Sequence, residues 1–277
     1  MINSSFDNRQ FERFQNLIQE RLGIHFNQNK REMLQAKLDK LMRKNGLSSY
    51  DAYFKQLTQD SDPGVWVPFS DEITVNKTDF FREMNHFEFI RSRIDSILEQ
   101  NRRIRSRNEI RVWSAGCSTG QEPYTLAMVF KDCLPPEINL KILATDISHR
   151  VLSIAQRAYY PPAIAGEVSS YHLQRYFQKR GSGYEVDPEI RRLVTFRQFN
   201  LMERFPFRDT LDIIFCRNVM IYFEPSTQQE LVEKFYRALT PGGYLFIGHS
   251  ESLTNKTHRF SYIQPTIYQK KPEKILS

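Results

Sequence analysis

Apolar positions in the first part of the chain recur at helical spacing. Phe11, Phe14, Leu17, Ile18 and Leu22 lie three and four residues apart and the run stops at Gly23; Met33, Leu34, Leu38, Leu41 and Met42 repeat the pattern and stop at Gly46. A glycine just past the last periodic residue suits a left-handed helix end. A third helix is expected from Ser48 or Ser49. The stretch 61–72, SDPGVWVPFSDE, carries Pro and Gly and breaks the period, which sets a boundary between a helical domain over 1–70 and a second domain over 71–277. Beyond it a long amphipathic helix is expected, with Phe80, Phe81, Met84, Phe87, Ile90, Ile94, Ile97 and Leu98 on one face, running into the basic stretch NRRIRSRNEIR.

From residue 110 short apolar runs alternate with helical segments. IRVW precedes a Gly-containing loop and PYTLAMVFKDCL; KILAT precedes VLSIAQRA; LDIIF precedes QQELVEKFYRAL; YLFIG follows. Strands alternating with helices imply an α/β fold, a doubly wound parallel sheet covered on both faces. The alternation lapses over about 160–199, where Pro161, Pro162, a helix-like SSYHLQRYF and a hairpin-like RGSGYEV read as a small inserted β subdomain.

With 277 residues, 40% hydrophobic and 26% charged, the chain is long enough for roughly two folded domains and too apolar for disorder. Its +7 net charge suits an acidic partner but falls short of the basic density of a nucleic-acid coat, so no nucleic acid is expected. Cys117, Cys133 and Cys216 are odd in number and form no CxxC pair, which gives neither a disulfide framework nor a zinc site and fits a reducing cytoplasm. No His falls in HExxH spacing, so no metal is assigned. No stretch approaches the ~18 apolar residues of a membrane span, and the N-terminus has no basic region followed by an apolar run. Membrane association would have to go through a partner.

The most informative segment is IRVWSAGCSTGQEPYTLA, residues 110–127. A strand, a loop with Gly116 and Gly120 and a helix start bring backbone N–H groups to the carboxyl edge of the sheet, where a nucleotide-like cofactor can sit. GCSTG also matches G-x-S-x-G, which would make Ser118 the nucleophile of an α/β hydrolase. An elbow serine needs acid and His partners, and His249 and His258 carry no signature of their own; the loop also follows the first strand, earlier than hydrolases place it. Neither a P-loop nor the full G-x-G-x-x-G occurs. KILAT ends in Asp146, placed to accept hydrogen bonds from ribose hydroxyls, although an Asp opening a helix is more often an N-cap. LTPGGYLFIG, residues 239–248, turns a helix into a late strand.

Together the Gly loop, the acidic strand end and L-x-P-G-G resemble S-adenosylmethionine-dependent methyltransferases with a Rossmann-like sheet. The order of N-x-T-x-F-F-R at 76–82, S-T-G-x-E-P-Y, Asp146, Asn200-Leu201, C-R-N-V-M-I-Y-F at 216–223 and G-H-S-E at 248–251 narrows this: nearly the whole chain resembles the chemotaxis receptor glutamate methyltransferases, the CheR-type family. The resemblance implies a class I methyltransferase fold with an all-helical N-terminal domain, and S-adenosylmethionine as cofactor with S-adenosylhomocysteine as product. It implies that Asn76, Thr78, Arg82, Glu122, Asp146, Asn200, Leu201, Arg217 and Asn218 surround the cofactor, and that Arg82 and Tyr222 position the reacting groups. Read by themselves, Asn200 and Arg217 with Asn218 follow apolar strands and emerge at the ligand edge, while any single Asn is more often a cap or turn residue.

The resemblance further implies a cytoplasmic enzyme, here expected to be a monomer, that esterifies glutamate carboxylates on the acidic helical coiled coil of a receptor's cytoplasmic domain. Lys30, Lys37 and Lys44 recur every seven residues with Lys40 near the same stripe, and residues 30–44 carry a local +4. A solvated face is the plain reading of such a stripe; the acidic substrate favours docking. The Arg-rich residues 102–111 offer a second contact surface. Some family members hold a peptide from the receptor's tail on the inserted hairpin, for which RGSGYEVDPEI is short.

Overall fold

The structure is a computed structural model and describes residues 6–59, 63–208, 210–254 and 256–272. Four helices lead: α1 (Asn8–Leu22), α2 (Arg31–Lys44), α3 (Tyr50–Gln59) and α4 (Pro63–Ile73). Asp7 caps α1 by accepting the Gln10 N–H at 2.8 Å, and Gly23 ends it at φ +73°. Their apolar stripes meet in one core of Phe11, Phe14, Leu38, Tyr53 and Phe69, all fully buried. Helix α4 occupies the stretch expected to break the helical run. Pro68 lies inside it, and Phe69 and Ile73 carry the helical core to its end.

The long helix expected from Phe80 starts later. Helix α5 (Asn85–Gln100) is followed by the short α6 (Arg102–Arg107), while residues 74–84 run irregularly, with Phe81 at φ 55° and Glu83 at φ 58°. Thr125 Oγ1 accepts the Phe81 N–H at 3.2 Å and Glu167 accepts the Phe80 N–H at 2.9 Å. These tertiary bonds override an apolar periodicity that by itself reads as helix.

The rest of the chain gives β1 (Glu109–Ala115), α7 (Gln121–Cys133), β2 (Asn139–Asp146), α8 (His149–Arg157), β3 (Tyr159–Tyr160), α9 (Ser170–Tyr176), β4 (Phe177–Arg180), β5 (Gly183–Val186), α10 (Pro188–Arg191), β6 (Val194–Gln198), β7 (Leu211–Cys216), α11 (Pro225–Ala238), β8 (Leu239–Ile247), β9 (Ser261–Gln264) and β10 (Ile267–Gln269). The main sheet has the order β6-β2-β1-β7-β8-β10-β9, parallel from β6 to β8 and antiparallel beyond. A second sheet, β3-β5-β4, forms the insertion. Alternate residues of β1 feed the two faces: Val112 joins the core under α5 and α7, and Trp113 the core under α11. Strand β6 lies inside the stretch read as insertion, where no clear alternation marks it. All three cysteines are free.

Candidate active site

A cavity of about 980 Å³, its open mouth included, lies at the carboxyl edge of the sheet. The strand order reverses there between β1 and β7, which is where doubly wound sheets bind ligands. Leu22 and Ile24, at the end of α1, close one side of it. The loop after β1 forms a wall through Gly116 and Ser118, and Gly120 ends that loop at φ +96°. A Cβ on Gly120 would sit 2.8 Å from the Tyr160 hydroxyl and 2.9 Å from Ala155 Cβ, so the loop admits no larger residue there.

Asp146 ends β2 with its side chain almost buried. Its Oδ2 accepts the Ser118 N–H at 2.8 Å and its Oδ1 the Ser148 N–H at 3.0 Å. Burial pushes its carboxyl up, opposed by these N–H groups. Ser148, and not Asp146, is the N-cap of α8. The carboxylate is thus fixed at the cavity wall by two backbone N–H groups and does not cap α8. Ser118 donates its Oγ–H to the Asn76 carbonyl at 2.8 Å, while His249 faces Asn85. A serine so engaged, with no imidazole bonded to it, is not an elbow nucleophile.

Arg217 follows β7 and lies between two acids. Its Nε donates to Glu83 Oε2 at 3.1 Å, its NH1 lies 3.4 Å from Glu122 Oε2, and its NH2 donates to the Arg82 carbonyl. The guanidinium stacks 5.5 Å above Phe87 and 5.9 Å above Phe215. Burial works to raise Glu83, but Arg217 and the His249 N–H bring it below the usual carboxylate range. Glu122, in the first turn of α7, goes the other way: burial raises it despite Arg217 and a 2.7 Å bond from Ser114. One guanidinium therefore holds an ionised acid on one side and a proton-seeking one on the cavity side.

One carboxylate gathers the backbone N–H groups of the loop carrying Asn218 and Tyr222, whose Met220 and Phe223 carbonyls accept from Gln228 Nε2 at 2.7 and 2.9 Å. Glu251 accepts backbone N–H bonds from Asn218 at 3.0 Å, Val219 at 3.0 Å, Met220 at 2.7 Å, Ile221 at 3.3 Å and Gly248 at 2.6 Å. From the helical side, the His25 N–H donates to the Tyr222 carbonyl at 2.8 Å. Burial raises the Tyr222 phenol, with the positive Arg82 pulling it back, so it remains an O–H donor.

Asn76, Thr78, Arg82, Glu122, Asp146, Asn200, Leu201, Arg217, Asn218 and Tyr222 all line this one cavity. Asn200 also serves its loop, donating to the Arg21 carbonyl at 2.7 Å and accepting the Met202 N–H at 3.0 Å. Sequence reasoning missed Glu83 and the part played by Glu251. Phe81, Glu83, Ser118 and Asn218 all have positive φ. Such left-handed residues cost about 1 to 3 kcal/mol each and collect at functional sites. Glu83, His86 and His249 bring donor atoms within 4.8 Å of one another, but Arg217 already occupies Glu83, and a cation there would meet its like charge.

The lysine stripe is less uniform than its spacing. Lys30, Lys40 and Lys44 are exposed, whereas Lys37 is half-buried, donates to the Glu72 carbonyl and has its ammonium pushed down by burial. Lys40 pairs with Glu72 at 2.8 Å. Part of the stripe thus ties α2 to α4. In the Arg-rich stretch, Arg103 is turned inward onto Asp212.

A mainly parallel sheet with a ligand cavity at its switch point and an acid at the end of the second strand defines a Rossmann-like fold built to hold a nucleotide-type cofactor. Residues 76–269 match the CheR methyltransferase SAM-binding domain, and residues 9–74 the CheR methyltransferase all-alpha domain. The chain belongs to the CheR methyltransferase family. Chemotaxis protein methyltransferases of Escherichia coli and Borreliella burgdorferi are 37% and 34% identical to it, over 93% and 97% of this chain and 89% and 96% of theirs. Chemotaxis protein methyltransferase 2 of Pseudomonas aeruginosa is 36% identical over 95% of this chain and 96% of its own. Among the described residues no helix is long and apolar enough to cross a membrane.

Proposed function

We propose that the enzyme transfers a methyl group to glutamate side-chain carboxylates on the cytoplasmic domain of chemotaxis receptors, acting as a cytoplasmic monomer. The observation that carries this reading is a cavity that joins a fixed acid, a shared guanidinium and an adjacent Arg82, with no histidine among its described lining residues. The residues fit the cofactor. Asp146, anchored from behind by two N–H groups, offers acceptors for ribose hydroxyls; Arg217 and Glu122 offer a guanidinium and a carboxyl for the two charged ends of an amino acid; Asn76, Thr78, Asn200, Leu201 and Asn218 complete the wall.

When bound, S-adenosylmethionine supplies an electrophilic methyl group on a positively charged sulfur. A glutamate carboxylate, with an ordinary pKa of about 4.3, is already ionised at neutral pH and needs no proton removed. The protein's task is alignment in a dry site. Arg82, flanked by the left-handed Phe81 and Glu83, aims its guanidinium at the carboxylate, and the protonated Tyr222 supports it by a hydrogen bond. The exposed lysines of α2 steer the acidic receptor helices toward the cavity.

Incubating the enzyme with methyl-labelled cofactor and receptor fragments tests this directly. Base-labile label on glutamate, released as methanol, is the expected result; label confined to amine, hydroxyl or nucleic-acid acceptors overturns it. The single-turnover rate should stay nearly flat from about pH 6.5 to 8.5, because no group must lose a proton in that window. Arg82→Lys should lower that rate about tenfold or more with a smaller change in cofactor affinity, since it keeps the charge and loses the planar fork.

A further inference from the structure

A second concave surface is larger than the methyl-transfer cavity. A groove of about 2020 Å³, open solvent included, runs between the loop after Leu201, the outer face of α11 and the segments around Arg259 and Lys270. Its basic side chains are Arg204, Arg208, Lys234, Arg237, Arg259 and Lys270, and the one acid lining it among the described residues is Glu233. That is a local net charge of +5 among the described lining residues, gathered from four separate stretches of the chain. Charge lining a concave, low-dielectric surface focuses its field into the groove.

Parts of the lining are fixed in place. Lys234 donates to the carbonyls of Leu201, Met202 and Glu203 at 3.2, 3.0 and 3.0 Å and sits 5.5 Å over Phe205. Arg259 stacks 4.0 Å over Tyr236 and shares Glu233 with Arg237. No described residue lines both the groove and the cavity, although one loop serves both: Phe199, Asn200 and Leu201 face the cavity, and residues between Met202 and Arg208 the groove.

We propose that this groove is a docking site for an acidic polypeptide segment, separate from the site of methyl transfer. Its chemistry selects that occupant. Single-stranded nucleic acid needs open aromatic faces for its bases. Here Tyr236 is covered by Arg259 and lies 4.9 Å from Lys270, Phe205 packs against Trp113 and Phe235 with Lys234 above it, and Phe207 packs against Trp113. A lipid surface is flat and meets a concave wall only at its rims. Carboxylates along an extended chain can reach into the groove and pair with guanidinium forks.

The test is fluorescence-anisotropy titration of the full chain with a labelled oligoglutamate and, separately, a labelled oligothymidylate of equal length. Arg204→Glu, Arg208→Glu and Arg237→Glu together should weaken oligoglutamate binding at least about tenfold, an effect that shrinks with salt. Arg204→Ala, Arg208→Ala and Arg237→Ala together should act in the same direction and less, with the melting temperature of each variant recorded to show that it is folded. Reversing the exposed Lys55, Arg157 and Lys179 instead, which line neither the groove nor the cavity, should change this affinity little. Equal losses from the two reversals would reduce the effect to net charge and overturn the proposal. Tighter binding of the oligothymidylate than of the oligoglutamate would also overturn it.

Discussion

Asp212 stands at the start of β7 and Arg217 just past its end, and each is the centre of a buried ionic network. At the amino edge, Asp212 accepts from Asn101 Nδ2 at 2.9 Å, Arg103 Nε at 2.9 Å, Thr240 Oγ1 at 3.2 Å and the Arg111 N–H at 2.8 Å. Its lone pairs are saturated and α6 covers them. At the carboxyl edge, Arg217 spreads its donors over Glu83, Glu122 and the Arg82 carbonyl, and NH1 reaches Glu122 only at 3.4 Å. The first network closes on itself and holds the sheet. The second is left incomplete toward a cavity, so its charge is available to a ligand.

Breaking the closed network should have the largest effect on stability. Asp212→Ala removes the acceptor that Arg103, Asn101, Thr240 and the Arg111 N–H share and leaves Arg103 only Glu109, and a buried pair that loses one partner costs about 3 to 5 kcal/mol. Urea unfolding measures it, and activity per folded molecule should be kept. A loss below about 1 kcal/mol would place the amino-edge network among ordinary surface pairs.

The open network should show the reverse split. Arg217→Met should lower methyl transfer about a hundredfold, equivalent to about 2.7 kcal/mol, and cost less stability than Asp212→Ala, because both carboxyls can take up protons once the guanidinium is gone. A large stability loss with activity intact would make the two ends of β7 alike. Asp146→Ala sharpens the contrast within the cavity. Losing acceptors for the ribose hydroxyls should weaken cofactor binding by about 1.5 to 3 kcal/mol by calorimetry, and unchanged affinity in a folded variant would leave Asp146 only its bonds to Ser118 and Ser148.

A further effect is in pH dependence. Burial, reinforced by Arg217, lowers the fully buried His86 to about 3. Below the ordinary histidine value the unfolded chain takes up a proton that the folded one refuses, so stability falls as pH drops from about 6.5 toward 3, by up to about 1.4 kcal/mol per pH unit from this group. His86→Phe should remove that slope. Urea midpoints of parent and variant that move in parallel between about pH 4 and 6.5 would show that His86 does not carry it.

Local pattern is a reliable guide to this chain wherever it agrees with the tertiary structure. The Gly loop, Asp146 and the Arg217-Asn218 pair follow strands whose apolar runs are unmistakable, so the chain itself marks where the carboxyl edge lies and which polar groups meet there. Residues 74–84 cannot be read that way. Phe80, Phe81, Met84 and Phe87 have helical spacing, yet the first three lie before α5, where Thr125 and Glu167, far along the chain, take the Phe81 and Phe80 N–H groups and Arg217 the Arg82 carbonyl. Glu83 is hidden for the same reason, because a carboxylate in an expected helix reads as solvated. Pro68 suggests a break where the packing of Phe69 and Ile73 keeps a helix. In α2 the heptad spacing of lysines is real, but spacing does not tell which ammonium finds a carbonyl.

The cradle of N–H groups around Glu251 bears on how tolerant this enzyme is to change. A loop fastened through its backbone does not depend on the side chains it displays, provided Gly248 stays small: a Cβ there would lie 2.5 Å from Asn218 Nδ2. Ile221, 44% exposed and next to Tyr222, is such a display position. Side chains of different size and polarity should be exchangeable at Ile221 while the loop keeps its course, so the surface of this loop can vary without moving the backbone beneath it.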